Sequence, residues 1–142
     1  MANIIPFAFR GELFTGTHNF ASGGDSFKLA LYTANPYTTA STVYSATTEV
    51  SSAGGSNYTT TGNALTGNAV AASTAVASCD FNDTEWTSAT FTAAYGALYN
   101  DTQGDKLCVV LDFGGDKTCT NGTFKITFPN PSTPADAIIS MS

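Results

Sequence analysis

The most informative apolar stretches lie in the last third of the chain. An apolar run at residues 107–113 ends abruptly in a Gly-Gly-Asp sequence at residues 114–116, and a second strand-like run follows at residues 124–128. Apolar and β-branched runs separated by Gly, Asn and Asp are typical of β-hairpins. The pattern therefore predicts two strands that pair with each other across a turn at the glycines.

Residues 27–32 alternate as a half-buried strand should. Phe27, Leu29 and Leu31 fall on one side, and the residues that alternate with them, beginning with Lys28, fall on the other. A period of two indicates a strand with one face on a core and the other in solvent. We predict a strand here with one face exposed to solvent.

Residues 33–78 are rich in Thr, Ser, Ala and Gly. Valine, tyrosine and leucine still recur through this segment, and threonine favours strands. An Asn-Pro pair at 35–36 and a Gly-Gly pair at 54–55 mark turns or loops. We expect lightly packed β structure with one long loop near Gly54, and disorder is the weaker alternative.

Further along, a turn at residues 80–87 precedes a second long strand-like run at 89–99, and Trp86 is expected to anchor the core. Runs at 123–128 and 137–141 bring the expected total to seven or eight strands. Short strands in this number predict an all-β fold, an antiparallel β-sandwich of the jelly-roll or immunoglobulin-like type.

The N-terminal region departs from the β pattern. Phe9, Leu13 and Phe14 recur at near-helical spacing, and Gly16 can end a helix. We predict at most one short helix, within an N-terminal arm of residues 1–25. The chain of 142 residues, 1–142, suits a single β-sandwich domain.

Charge is scarce on this chain. Asp, Glu, Lys and Arg make up 11% of the residues, against about 25% in average soluble proteins. Such a surface suits a chain that packs against copies of itself or a larger assembly, because free monomers usually depend on charge for solubility.

With a net charge of −6 there is no basic stripe for phosphates, so we expect no nucleic acid partner. We also expect no membrane partner, since no apolar segment approaches the roughly 20 residues that span a bilayer.

Groups that carry chemistry are few. Cys79, Cys108 and Cys119 form no Cys-x-x-Cys grouping, and we expect free thiols, with a Cys79–Cys108 bond as the open alternative. His18 is the only histidine, which excludes most Ser-His and Cys-His nucleophile schemes unless every partner converges on this ring. We therefore expect no enzymatic activity, no catalytic residues and no cofactor.

Asp80, Asp83 and Glu85 form the densest acidic cluster. Oxygen-rich loops can bind Ca²⁺, but this spacing is not that of an EF-hand. Asp and Asn also stabilise turns with their own side chains. We favour a plain loop and no metal site, with a bound cation as the alternative.

A group of aromatic residues near the start, which includes Phe7, Phe9, Phe14 and Phe20, can either pack on the core or dock on a neighbour. Core packing is favoured, although a position near a terminus leaves exchange between subunits open. The candidate partner-binding residues are Phe7, Phe9, Arg10 and Phe14.

Several stretches, taken together, resemble a family of small virion proteins of tailed bacteriophages. They are residues 12–20, 27–33, 80–81 with Trp86, 96–100, 110–117, 128–129 and 137–139. The resemblance runs nearly end to end and implies a structural component of a virus particle. It carries over no enzyme site.

The resemblance and the composition both favour a non-enzymatic virion structural protein. Within that class we expect a capsid decoration or cement protein, a homo-oligomer that stabilises the shell by repeated contacts with the major capsid protein or other virion proteins. Such a protein is made in the host cytoplasm and resides in the virion. The alternative is a tail or fibre component that contacts host surface glycans, and a carbohydrate-active enzyme is a distant third.

Overall fold

The computed structural model describes residues 3–72, 75–129 and 138–141. Within them it has one short helix near the N-terminus and seven strands. These are α1 (Phe7–Phe14), β1 (Phe27–Tyr32), β2 (Asn63–Ala64), β3 (Ala69–Ala72), β4 (Ala77–Asp80), β5 (Thr84–Asn100), β6 (Lys106–Ile126) and β7 (Ile139–Met141). The prediction of an all-β antiparallel sandwich with one short helix is confirmed.

The strands form two antiparallel sheets. The larger sheet has four strands in the order β2-β1-β5-β6, and the smaller has three in the order β3-β4-β7. The long β5 and β6 pair from Thr84 opposite Ile126 to Asn100 opposite Lys106. Residues 101–105 form the turn between them, where Gly104 and Asp105 have positive φ angles of 70° and 60°.

The predicted hairpin at the Gly-Gly-Asp sequence is wrong. Both predicted strands belong to β6, and both pair with β5 instead of with each other. Along the pair, β6 advances from Asp112 to Lys117 while β5 moves only from Tyr95 to Ala93. The glycines between them have φ angles of 75° and 131° and supply the backbone of a bulge.

Strand β1 has the predicted bounds, but the prediction that one of its faces is exposed to solvent is wrong. Ala30 and Tyr32 are fully buried, as are Leu29 and Leu31 on the other side. The second face carries a small apolar cluster of its own: Ala30, Tyr32, Tyr37, Ala97, Tyr99, Leu107 and Val110. Strand β1 is therefore covered on both faces.

Residues 33–62 provide much of that cover, and they do so almost entirely as loops. The expected β structure is limited to isolated bridges here and to the short strands β2, β3 and β4 beyond. The loop is held by side-chain hydrogen bonds. The Glu49 carboxylate accepts from the Tyr58 hydroxyl at 2.7 Å, the Thr61 amide at 2.8 Å and the Tyr44 hydroxyl at 2.5 Å. Hydrogen bonds from tyrosine and threonine to the half-buried Glu49 carboxylate thus order a segment whose composition would fit a linker.

The N-terminal region is tied into the larger sheet. Helix α1 ends as expected before Gly16, whose φ is 68° and whose amide donates to the Leu13 carbonyl at 3.3 Å. Ahead of the helix, Ile4 exchanges backbone hydrogen bonds of 2.9 and 2.8 Å with Val110 on the outer edge of β6. In the described part of the chain, no helix has the length and apolarity needed to cross a membrane.

Trp86 is buried near the start of β5, as predicted for a core anchor. Its ring packs against Tyr58 from the long loop and Phe124 from β6, with centroid distances of 5.9 and 6.2 Å. The main core continues from here across the sheet to Phe27 and Phe9. Helix α1 therefore lies on the same core as both long strands.

Candidate functional site

The densest polar cluster surrounds His18, at the junction of α1 with the larger sheet. Nε2 of His18 lies 2.7 Å from a Glu12 carboxylate oxygen, and the other Glu12 oxygen accepts from Lys106 at 2.8 Å. On the opposite side of the ring, the Asn100 amide nitrogen lies 3.0 Å from Nδ1. Because that amide can only donate, Nδ1 accepts and the ring proton on Nε2 is donated to Glu12.

The cluster extends to a second carboxylate. The Asn100 amide also donates to Asp25 at 2.8 Å, and the Asn19 backbone amide donates to the same Asp25 oxygen at 2.9 Å. Asn100 is fully buried at the end of β5, so these contacts satisfy a polar side chain in the core. The network joins the N-terminal arm to the ends of β5 and β6.

Hydrogen bonding keeps both carboxylates ionised. Burial of Glu12 acts to raise its pKa, but the bonds from Lys106 and His18 outweigh burial and hold the pKa below its ordinary value. Burial likewise acts to raise the pKa of Asp25, and the bonds from Asn100 and Asn19 lower it overall. Both side chains are therefore charged anchors at neutral pH.

One contact in this cluster has the form of a nucleophile site. Cys108 Sγ lies 3.9 Å from Nδ1 of His18, so a thiol, an imidazole and the Glu12 carboxylate follow one another in order. A nucleophilic cysteine must be accessible and have a thiolate. Cys108 is fully buried, and burial raises the pKa of its thiol. The partners do converge on the single histidine, but the thiol and the ring are both buried.

The other cysteines have no partner sulfur either. Cys79, Cys108 and Cys119 are all free, which confirms the expected thiols and excludes the Cys79–Cys108 alternative in this structure. Cys79 is buried, and burial raises its pKa to about 12. Cys119 is half-buried, with its thiol 3.6 Å from the Phe91 carbonyl.

The acidic cluster is dispersed by the fold. Asp80 is buried at the end of β4, whereas Asp83 accepts from Lys125 at 3.1 Å and from the Phe128 amide at 3.0 Å. Glu85 is exposed at the start of β5. Across residues 3–72, 75–129 and 138–141, no three His, Cys, Asp or Glu side chains are placed to hold a metal ion.

Helix α1 presents an apolar outer face. Phe7 and Phe14 are 60% and 95% exposed, and Arg10 between them is also exposed. Positions separated by three, four and seven residues share one side of a helix. The Arg10 guanidinium lies 5.1 Å from the centre of the Phe7 ring and donates to the Ile5 carbonyl at 3.2 Å. These three predicted partner-binding residues are therefore accessible together.

The prediction that Phe9, the fourth candidate, binds a partner is wrong. It is fully buried, with its ring 5.1 Å from that of His18 and 6.1 Å from that of Phe20. Two helix positions correspond to about 200° of rotation, so a residue two places from Phe7 faces the core. Phe9 fixes the helix in place and is not available to a partner.

An apolar groove that the sequence did not reveal lies beside the helix. It is half-open, has a volume of about 110 Å³, and separates α1 from the smaller sheet. Its lining residues are Phe9, Leu13, Phe20, Val70, Ala77, Ser78, Cys79, Ile139 and Met141. Val70 and Met141 at its edge are 58% and 57% exposed. Segments far apart in the chain build it, so no local pattern could have indicated it.

Two features thus stand out in the described residues. The polar cluster at His18 is closed and holds α1 against the sheet. The outer face of α1 and the adjacent groove are open and apolar. Comparisons with protein-family models, with curated proteins and with solved structures found no match to this chain.

Proposed function

We propose that this protein is a non-enzymatic structural component of a bacteriophage particle, a decoration or cement protein that stabilises the capsid shell. The observation that carries the proposal is the outward display of Phe7 and Phe14 on α1. The resemblance to small virion proteins favours this setting. The enclosed state of Cys108 and His18 supports a role without bond-making chemistry.

Exposed aromatic side chains are costly to leave in water and are enriched in protein interfaces. Isolated apolar residues on a surface are common, but two phenylalanines on one face of a single helix form a patch. Arg10, stacked on Phe7, adds a residue type that is also enriched in interfaces. The helix face has the composition of a contact with another protein.

The helix is also held in place by several contacts, which favours binding. Phe9 anchors it from below, and the Glu12 bonds to Lys106 and His18 fix it laterally. A preorganised surface loses little conformational freedom when it binds. A small contact can then be effective on a shell, where many identical sites are engaged at once.

Rebinding to stripped particles tests the proposal. Particles freed of the protein should recover it when purified chain is added, and the protein should remain with the shell after the tail is removed. Phe7→Ser should lower the retained amount at least about tenfold, because a buried phenylalanine contributes roughly 1.5–3 kcal/mol.

Val43→Ser is the matched control, because Val43 is 48% exposed and lies outside α1. This variant should bind to shells like the wild type. Recovery of the protein with tails instead of shells would contradict the decoration role and favour the tail alternative. Equal retention of Phe7→Ser and wild type would exclude α1 as the contact.

A further inference from the structure

A glycine lies between the two phenylalanines on the exposed face of α1. Gly11 comes four residues after Phe7 and three before Phe14, so all three positions share one side of the helix. Gly11 is exposed, as are the two rings. Glycine destabilises the interior of a helix more than any residue except proline. The helix would therefore be more stable with a different residue at this position.

Nothing in the described part of the chain requires a glycine here. Gly11 does not have a positive φ angle, unlike Gly16, which ends the helix with a φ of 68°. A Cβ added to Gly11 would meet no atom within 4 Å. An isolated glycine inside a helix usually has a packing or functional reason, and packing within the chain supplies none. The glycine instead indicates close approach by another molecule.

The rings and the glycine form a notch on the helix surface. Phe7 and Phe14 are attached about 10 Å apart along the helix axis, because seven residues rise by that distance. Between them, Gly11 exposes the helix backbone without a side chain. An apolar side chain that enters this notch of Phe7, Gly11 and Phe14 contacts the backbone below it and a ring on each side. Burial of both rings would stabilise the contact.

Arg10 adds a positive charge to the same face. Its guanidinium stacks on the Phe7 ring and donates to the Ile5 carbonyl at 3.2 Å. Among the described residues, no carboxylate forms an ion pair with it. The planar guanidinium has further N–H donors, which match a carboxylate in a bidentate geometry. The face therefore complements a partner with a negatively charged group beside an apolar one.

The same charge argues against a second copy of this chain as the partner. In a two-fold pair a surface meets itself, so Arg10 of one copy would lie near Arg10 of the other. Like charges that face each other across an interface oppose association. The only carboxylate of α1 is that of Glu12, which is engaged by Lys106 and His18. The charge thus favours a different, acidic partner.

We propose that α1 binds a segment of the shell protein in which an apolar side chain lies next to a carboxylate. The apolar side chain lies on Gly11 between Phe7 and Phe14, and the carboxylate pairs with Arg10. The proposed function supplies the shell as the partner, and the inference rests on it in that respect. The rings then contribute affinity, and the ion pair contributes specificity.

Gly11→Leu tests the notch, because it should affect folding and binding in opposite directions. Leucine favours a helix and projects here into open space, so the urea midpoint should equal or exceed that of the wild type. The same side chain fills the notch, so the dissociation constant for stripped shells should rise at least about tenfold. Gly11→Ala should act in the same two directions, and it replaces Gly11→Leu if leucine prevents folding.

Val43→Leu is the matched control for added bulk. Val43 is 48% exposed and lies outside α1, so this variant should bind shells like the wild type. Equal binding by Gly11→Leu, Gly11→Ala and the wild type, with all three folded, would overturn the inference. Loss of binding by Phe7→Ser in the same assay would then leave the proposed function standing.

The salt dependence of binding tests the acidic group on the partner. Wild-type binding should weaken as salt is raised from about 0.05 to about 0.5 M, because salt screens ion pairs. Arg10→Gln should bind about tenfold more weakly at low salt and lose most of this dependence. Wild-type binding that is insensitive to both changes would overturn the acidic partner.

Three further results would overturn the inference by assigning the face elsewhere or removing its partner. Sedimentation equilibrium could reveal wild-type dimers that Gly11→Leu abolishes, which would assign the face to a second copy. Binding to vesicles of an anionic phospholipid that Gly11→Leu abolishes would assign it to a membrane. A wild type that does not bind stripped shells at all would contradict the proposed function as well.

Discussion

His18 lies between Glu12 and Asn100 and is enclosed by the rings of Phe9 and Phe20. The same side-chain types serve as bases and nucleophiles in enzymes, where they must be reachable by a substrate. Here every polar atom of the ring is engaged by the protein itself. The contacts of His18 with Glu12 and Asn100 hold α1 against the larger sheet.

This role gives a pH dependence that can be measured. The folded-state pKa values of Glu12 and Asp25 lie below their ordinary values of 4.5 and 3.8. A carboxyl whose pKa is lowered by folding stabilises the protein above its unfolded pKa, and this contribution is lost as pH falls through the folded pKa. The free energy of unfolding should therefore decrease as pH falls below about 4.5, as measured by urea denaturation.

Glu12→Gln isolates one of these contributions. It should lower the free energy of unfolding by about 1–2 kcal/mol at pH 7, discounted because Lys106 is partly exposed and its ion pair is screened. The difference from wild type should shrink at pH 3. Glu85→Gln, at an exposed carboxylate, is the control and should change little. A difference that stays constant with pH would exclude the ionised Glu12 as an anchor.

At single positions, the sequence predicted those structural features that depend on neighbouring residues in the chain. The spacing of Phe9, Leu13 and Phe14 and the glycine at 16 predicted α1, because helix periodicity and end signals depend on neighbours in the chain. Core packing was favoured for the aromatic group that includes Phe9, but the contacts that β5 and β6 make with His18 could not be predicted. They depend on β5 and β6, which lie about 80 residues further along.

Strand β6 shows that a secondary-structure element can also depend on residues far away in the chain, which its own sequence does not reveal. Two glycines between apolar runs are compatible with a hairpin turn and with a bulge, since both use positive φ angles. A bulge forms because β5, a strand of 17 residues, is long enough to pair with both halves of β6. The length of a partner strand is not encoded in the residues of the bulge itself.

The covered second face of β1 has a similar origin. Its alternation correctly predicted a strand, but Tyr32 is buried because the loop of residues 33–62 folds over it. Tyr58 connects the two: its hydroxyl accepts from the Leu31 amide at 2.9 Å and donates to Glu49 at 2.7 Å. The loop thus takes the place of a strand along part of the edge of β1.

Tyr58→Phe tests this attachment. It leaves the Leu31 amide without its acceptor in a buried setting, which should lower the free energy of unfolding by about 1–3 kcal/mol in urea denaturation. Tyr95→Phe is the matched control at a half-buried tyrosine outside the Glu49 hydrogen bonds, and it should cost less than Tyr58→Phe. Equal stabilities of the two variants would contradict the anchoring role of Tyr58.

At the scale of the whole molecule, the described residues form a β body that carries a short helix on which Phe7 and Phe14 are exposed. The sequence predicted the fold class and gave Phe7, Arg10 and Phe14 as candidate partner-binding residues. It favoured core packing for the phenylalanines, and the exposure of Phe7 and Phe14 shows that this was wrong for these two. It did not predict the groove, which combines the helix with strands β3, β4 and β7. Interaction surfaces of this kind arise from tertiary packing, so that residue patterns identify only their most exposed members.

The copy number of the protein in purified phage particles, measured by quantitative mass spectrometry against the major capsid protein, decides whether it acts as a repeated structural contact. A decoration protein should be present in numbers comparable with those of the shell subunit, because its effect depends on multiplicity. Absence from particles, or only a handful of copies in each, would contradict this account.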